Sequence, residues 1–82
     1  LGWPVGVDEM DINGILVYPN PTDNTINIET HLTFNYELRD MMGKLILTGA
    51  DNRLELGLYD SGVYLLTLIH EGKRFNKRII KQ

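Results

Sequence analysis

The only serine of this 82-residue chain, Ser61, stands directly after Asp60 and nine positions before His70. A serine hydroxyl, an imidazole base and an orienting carboxylate are the groups that acyl transfer requires. Asp-Ser-Gly is above all a turn sequence, however, and no nucleophile elbow or oxyanion motif surrounds it. The sequence therefore favours a turn at Ser61 and predicts that the domain is not an enzyme.

Two sets of residues have the side chains of metal ligands. Residues 9–14, EMDING, place oxygen atoms at alternate positions before a glycine, as the start of a calcium loop does. The first position is Glu9 rather than Asp, and the twelfth, Asn20, cannot supply the bidentate carboxylate of such a loop. His31 and His70 lie far apart and lack zinc-ligand spacing. The sequence favours an acidic linker and solvent-facing histidines, and predicts no metal and no cofactor.

Charge is distributed unevenly along the chain. Residues 1–72 carry three basic and eleven acidic side chains, a net charge of −8, whereas residues 73–82 carry five basic and no acidic ones. Phe75 lies among these cations, so the terminal KRFNKRIIK could contact phosphates and stack on a base. An edge strand whose charges prevent aggregation explains the pattern better. Nucleic acid is therefore not an expected partner.

Apolar and polar residues alternate with a period of two, which predicts an all-β domain. The GVYLLTLI run is apolar on both faces, so we expect Val63–Ile69 to be the central and most buried strand. Asp40–Lys44 and Glu71–Gly72 have the composition of hairpin turns, with a positive φ expected at Gly43. The even spacing of about seven short strands predicts an antiparallel β-sandwich of immunoglobulin or fibronectin type.

The domain is expected to occupy residues 15–82. Residues 1–14 show no periodicity and are interpreted as a linker or loosely attached segment, from which Trp3 could dock on the sandwich. No apolar run approaches the ~20 residues of a membrane-spanning helix, so no integral membrane segment is predicted. The chain begins at Leu1 without a signal-peptide pattern, and we expect it to be part of a longer protein.

Four motifs follow one another at characteristic spacings: VYPNP, YELRDMMGKLI, LELGLYDSGVYLLTL and FNKRIIK. In this order they resemble the C-terminal sorting domain of the type IX secretion system, type A, over nearly all of residues 15–82. One departure is the LGLYDSG segment, where the family more often has Leu-x-x-Gly. The positions that match the family motifs are Tyr18, Pro19, Asn20, Pro21, Asp40, Gly43, Lys44, Gly62, Tyr64, Lys77 and Lys81.

The resemblance implies a non-catalytic sorting signal attached to an upstream cargo domain of the same chain. Members of the family reach the periplasm by Sec export, are recognised by the type IX translocon and cross the outer membrane. A sortase-like peptidase commonly removes the domain, and the cargo is often attached to the cell surface. An alternative is a fibronectin-like accessory module that binds carbohydrate or spaces domains in a secreted enzyme. A monomer or weak dimer is expected.

Two roles remain open from the sequence. Asn20, fixed between Pro19 and Pro21, could present its side chain to a receptor or could simply end an edge strand. Lys77 and Lys81 lie four positions apart on one predicted strand face, where both ammonium groups could meet one acidic partner. We expect these lysines to be exposed and to act in recognition more than in folding.

Overall fold

The computed structural model describes residues 14–82, and this part of the chain forms seven β-strands and no helix. Alternation between buried and more exposed residues is clearest in the second and third strands, where Ile26, Ile28, Tyr36 and Leu38 all point inward. The strands are β1 (Ile15–Tyr18), β2 (Thr25–Thr30), β3 (Asn35–Asp40), β4 (Leu45–Gly49), β5 (Arg53–Glu55), β6 (Gly62–His70) and β7 (Lys73–Lys81).

The strands form two antiparallel sheets that make a small β-sandwich. One sheet has the order β1-β2-β5 and the other the order β4-β3-β6-β7. The predicted all-β sandwich of seven short strands is thus confirmed, and its closer kinship with immunoglobulin or fibronectin domains remains a prediction. The linker predicted for residues 1–14, the docking of Trp3 and the calcium segment lie in whole or in large part outside the described residues.

The core lies between the two sheets and receives side chains from six strands and from the segment after β5. Eight residues are less than 2% exposed, and a further group of half-buried apolar residues, which includes Phe34 and Phe75, packs against them. At about 25 cal/mol per Å² of apolar surface, each fully buried leucine or isoleucine contributes roughly 1.5–3 kcal/mol. The eight residues are Ile15, Ile26, Leu38, Leu54, Leu56, Leu66, Leu68 and Ile79.

Strand β6 is central, as expected, and it has more buried residues than any other strand within residues 14–82. It lies between β3 and β7 and directs Tyr64, Leu66 and Leu68 into the core. On the opposite face, Leu65 is 40% exposed, whereas Thr67 is only 4% exposed. The prediction that Val63–Ile69 is the central and most buried strand is confirmed, although its outer face is buried only in part.

Candidate functional site

The motif positions that are scattered through the sequence converge on one end of the sandwich. Antiparallel pairing sets Asp40 beside Tyr64, Tyr64 beside Ile79, and Gly62 beside Lys81. The segment that follows β1 reaches the same end, where Thr22 pairs with Lys81. We call this region the motif end; of the eleven positions that match the family motifs, only Lys77 lies away from it, farther along β7.

The Tyr18–Pro21 corner connects the two sheets through the side chain of Asn20. Its Nδ2 donates a 2.7 Å hydrogen bond to the carbonyl oxygen of Arg78, and its Oδ1 accepts one of 3.0 Å from the backbone nitrogen of Ile80. Both peptide bonds that precede the prolines are cis. One amide therefore satisfies a carbonyl and an N–H on the free edge of β7, as a neighbouring strand would. The sequence did not predict this bridge, and a part of Asn20 in recognition stays a prediction.

Thr22 continues the contact that Asn20 begins. Its backbone nitrogen donates to the carbonyl oxygen of Ile80 at 2.9 Å, and its carbonyl oxygen accepts from the nitrogen of Gln82 at 2.8 Å. The Thr22 hydroxyl, which is buried, donates to the carbonyl oxygen of Thr25 at 2.7 Å. Sequence reasoning missed this residue, although the polar run after Pro21 is typical of a local side-chain turn.

The turn between β3 and β4 is built by Asp40. Its Oδ1 accepts hydrogen bonds of 2.9 Å from the backbone nitrogens of both Met42 and Lys44. Gly43 has a φ of +85°, a left-handed conformation that favours glycine, as the sequence predicted. Asp40 and Gly43 therefore have defined structural roles, whereas the side chain of Lys44 is exposed.

Gly62 and Tyr64 begin the central strand of the motif end. Gly62 has a φ of +153°, a backbone conformation that residues with a side chain rarely adopt. The Tyr64 hydroxyl donates a 2.6 Å hydrogen bond to the carbonyl oxygen of Asp60, four residues upstream, which joins the β5–β6 loop to the strand. Burial of the ring, reinforced by the carboxylates of Asp60 and Asp40, raises the pKa of the Tyr64 phenol. The tyrosine therefore stays neutral and remains a hydrogen-bond donor.

The terminal lysines differ from each other in exposure, and neither is exposed as the sequence predicted. Both occupy the inward face of β7, because they alternate with the exposed Arg78 and share the face of Ile79. Lys81 is only 9% exposed, and its Nζ donates to the carbonyl oxygen of Gln82 at 3.3 Å. Lys77 is half-buried opposite Leu66. The two lysines share one face as predicted, but that face is not the solvent-exposed one.

The residues that the sequence offered as candidates for catalysis or metal binding do not come together in the structure. Ser61 and His70 lie at opposite ends of β6, about 30 Å apart along a strand. The His70 ring instead lies 2.6 Å, through Nδ1, from the carbonyl oxygen of Thr33. Within residues 14–82, no three His, Asp or Glu side chains are arranged to hold a metal ion. The same residues contain no helix that could cross a membrane.

This two-sheet sandwich, with its sequence motifs gathered at one end, has the architecture of a small β-sandwich module. Residues 16–82 match the family of the secretion system C-terminal sorting domain. The chain belongs to this family, whose members are sorting signals of type IX secretion. Such a domain implies a secreted protein that is carried across the outer membrane. A comparison with curated proteins finds no match to this chain.

Proposed function

We propose that this domain is the non-catalytic sorting signal of a larger exported protein. We further propose that its motif end is the part that the type IX machinery recognises. The proposal rests above all on the family match over residues 16–82. It is supported by the convergence of the corner, the Asp40 turn and the ends of β6 and β7 on one region. A recognition surface requires such a fixed arrangement of groups from distant parts of the chain.

The remaining steps follow from the family resemblance. The cargo, attached before the domain, reaches the periplasm by Sec export, and the translocon then binds the folded domain. A sortase-like peptidase cleaves the chain upstream of the sandwich, and the cargo is released or attached to the cell surface. Since β1 begins at Ile15, a cut before this residue would leave the described core intact.

The proposal is tested by fusing the 82-residue chain to the C-terminus of a reporter that carries a Sec signal. The fusion is expressed in a bacterium with a working type IX system and in a strain that lacks its translocon. We expect the reporter outside the outer membrane in the first strain and in the periplasm of the second. Periplasmic reporter in both strains, or export in both, would contradict the proposal.

The alternative of a carbohydrate-binding or spacer module is less well supported. Stacking on sugars requires exposed aromatic rings, and within residues 14–82 every aromatic side chain is buried or half-buried. Tyr59, one of the half-buried rings, packs against the core. Binding of the isolated chain to a panel of polysaccharides would favour this alternative over a sorting signal.

A further inference from the structure

The outer face of the four-stranded sheet carries a row of apolar and cationic residues that are not among the eleven positions matched to the family motifs. Strand pairing sets Leu45 opposite Arg39, Arg39 opposite Leu65, and Leu65 opposite Arg78, so the row crosses all four strands. Met41 lies beside it on the β3–β4 turn. These five residues are called the arginine face below.

The apolar members of the arginine face are unusually exposed. Leu45 is 46% exposed, Leu65 is 40% exposed and Met41 is 71% exposed. Within residues 14–82, five large apolar residues are prominently exposed. Leu45, Leu65 and Met41 are three of the five, and Met42, the neighbour of Met41, is another. Apolar side chains concentrated on one face commonly mark a surface that binds another molecule.

An open groove of about 340 Å³ runs along this face. Met41, Val63 and Leu65 supply apolar walls, and Arg39 and Arg78 contribute guanidinium groups. Asp40 also lines the groove, with Oδ1 engaged by two backbone N–H groups of its own turn. Arg39 donates a 2.7 Å hydrogen bond to Glu37, which orients its side chain. Within residues 14–82, Arg78 has no carboxylate within ion-pair distance. The groove therefore combines an apolar floor with a cation that is available for an external anion.

Charge determines which occupant fits the arginine face. In a dimer with a two-fold axis through this face, Arg39 and Arg78 of one copy would lie close to the same two arginines of the other copy. The like charges would repel each other, so a second copy does not fit. An acidic polypeptide has the opposite charge, and arginine binds carboxylates with a bidentate geometry. An apolar side chain of the same polypeptide would be desolvated between Met41 and Leu65.

We propose that the arginine face docks a segment of the secretion machinery in which an apolar side chain is flanked by Asp or Glu. This inference rests on the proposed function, because it assigns the partner to the type IX apparatus. The face adjoins the motif end through the Asp40 turn, so one partner could contact both. The inference concerns an acidic protein segment, not an anionic membrane.

The reporter fusion described above provides the test, with Arg78→Glu and Met41→Ser as separate variants. Arg53→Glu is the control, because Arg53 is an exposed cation of β5 on the other sheet and its substitution makes the same change of charge. Arg53 forms an ion pair with Glu55, but both side chains are well exposed, so the loss of this pair costs little stability. We expect each face variant to lower export by about tenfold or more while its melting temperature stays near that of the parent. We expect Arg53→Glu to be exported normally.

The outcomes separate the two proposals. Normal export of both Arg78→Glu and Met41→Ser would overturn the inference and leave the sorting function in place. Periplasmic retention of the unsubstituted chain would instead contradict the sorting function. Should Arg78→Glu unfold, Met41→Ser alone decides, because its side chain lies in an exposed turn.

The partner's chemistry is tested by photo-crosslinking from position 41 in exporting cells, with position 58 as the reference because Leu58 is 99% exposed. We expect an adduct from position 41 with a component of the secretion machinery, on a peptide that contains Asp or Glu. The adduct should disappear in the Arg78→Glu chain. An adduct only with lipid, or only with a second copy of the domain, would overturn the inference.

Discussion

At the scale of single residues, Asn20 shows how one side chain can complete a sheet. Its amide has a donor and an acceptor at the spacing of a peptide unit, and β7 presents to it the carbonyl of Arg78 and the N–H of Ile80. Threonine or serine at this position would supply one short hydroxyl for two backbone groups. These two hydrogen bonds therefore explain asparagine at this position without any contact to a receptor.

Replacing Asn20 with aspartate tests this role with almost no change of shape. Asn20→Asp keeps an acceptor for the Ile80 N–H but replaces the donor with a carboxylate oxygen that faces the Arg78 carbonyl. We expect a loss of about 1–3 kcal/mol in the free energy of unfolding, measured by urea denaturation at neutral pH. Asn52→Asp is the control, since its side chain is exposed. Equal stability of the two variants would show that the amide bridge is energetically unimportant.

The conformation of Gly62 gives a second prediction at the same scale. A Cβ added to this glycine would meet no atom within 4 Å, so the cost of Gly62→Ala comes from the positive φ and not from a clash. We expect Gly62→Ala to destabilise the domain by about 1 kcal/mol or more. D-alanine, introduced by chemical synthesis, adds the same methyl group but accepts this φ. Equal loss of stability with both enantiomers would refute the backbone explanation.

Glu37 links stability to pH on the outer face of the four-stranded sheet. Hydrogen bonds from Arg39 and then from Arg74 lower the pKa of its carboxyl group. A lowered pKa in the folded state means that the stabilisation is complete above the pKa of an unfolded glutamate and is lost as the pH falls through the folded value. Unfolding free energies measured from about pH 7 to about pH 2 should therefore converge for the parent and Glu37→Gln in acid. A difference that stays constant over this range would contradict the assignment.

At the scale of secondary-structure elements, the strands were predictable and their arrangement in space was only partly so. Alternation at Ile26 and Ile28 located β2 because a half-buried strand has a period of two. The same signal could not show that β1 pairs in one sheet while the next residues, Asn20 to Thr22, join the other. Nor could it reveal the irregularity between Leu38 and Arg39, where Ile46 is the extra residue on β4.

Of the candidate site, the sequence predicted the local features and missed the long-range ones. The turn at Asp40 and the positive φ of Gly43 follow from local backbone preferences. The burial of Lys81 depends on partners that are distant in sequence, Gly62 and Thr22. The outer row of Arg39, Leu65 and Arg78 depends on register, which no single strand encodes.

Lys77 and Lys81 of β7 differ in burial and should therefore be substituted one at a time. Lys81→Gln alters a buried side chain beside the parallel bridge to Thr22, so we expect a lower melting temperature and impaired export together. Lys77→Gln alters a half-buried residue, and we expect it to reduce export with a smaller change in melting. Normal export of a stable Lys77→Gln chain would remove Lys77 from recognition, and unchanged melting of Lys81→Gln would contradict its structural role.

At the scale of the whole molecule, the last strand supports both sheets. Residues 78–82 supply the fully buried Ile79, the partners of Asn20 and the partners of Thr22. Removing these five residues should therefore cost more than the burial of one side chain, about 2–5 kcal/mol for an isoleucine. We expect the truncated chain to lose cooperative thermal unfolding by circular dichroism. A truncated chain with a sharp transition near that of the parent would show that β7 is dispensable for the fold.

The parallel contact between Thr22 and Lys81 also has a mechanical consequence. A pull applied between Gly14 and Gln82 moves the two segments in opposite directions along their common axis. Their hydrogen bonds, Thr22 to Ile80, Gln82 to Thr22 and the two of Asn20, are then loaded in shear and must break together. A domain that is pulled at its C-terminal end while an upstream cargo resists at its N-terminal end therefore bears this force in its strongest direction, along bonds loaded in shear.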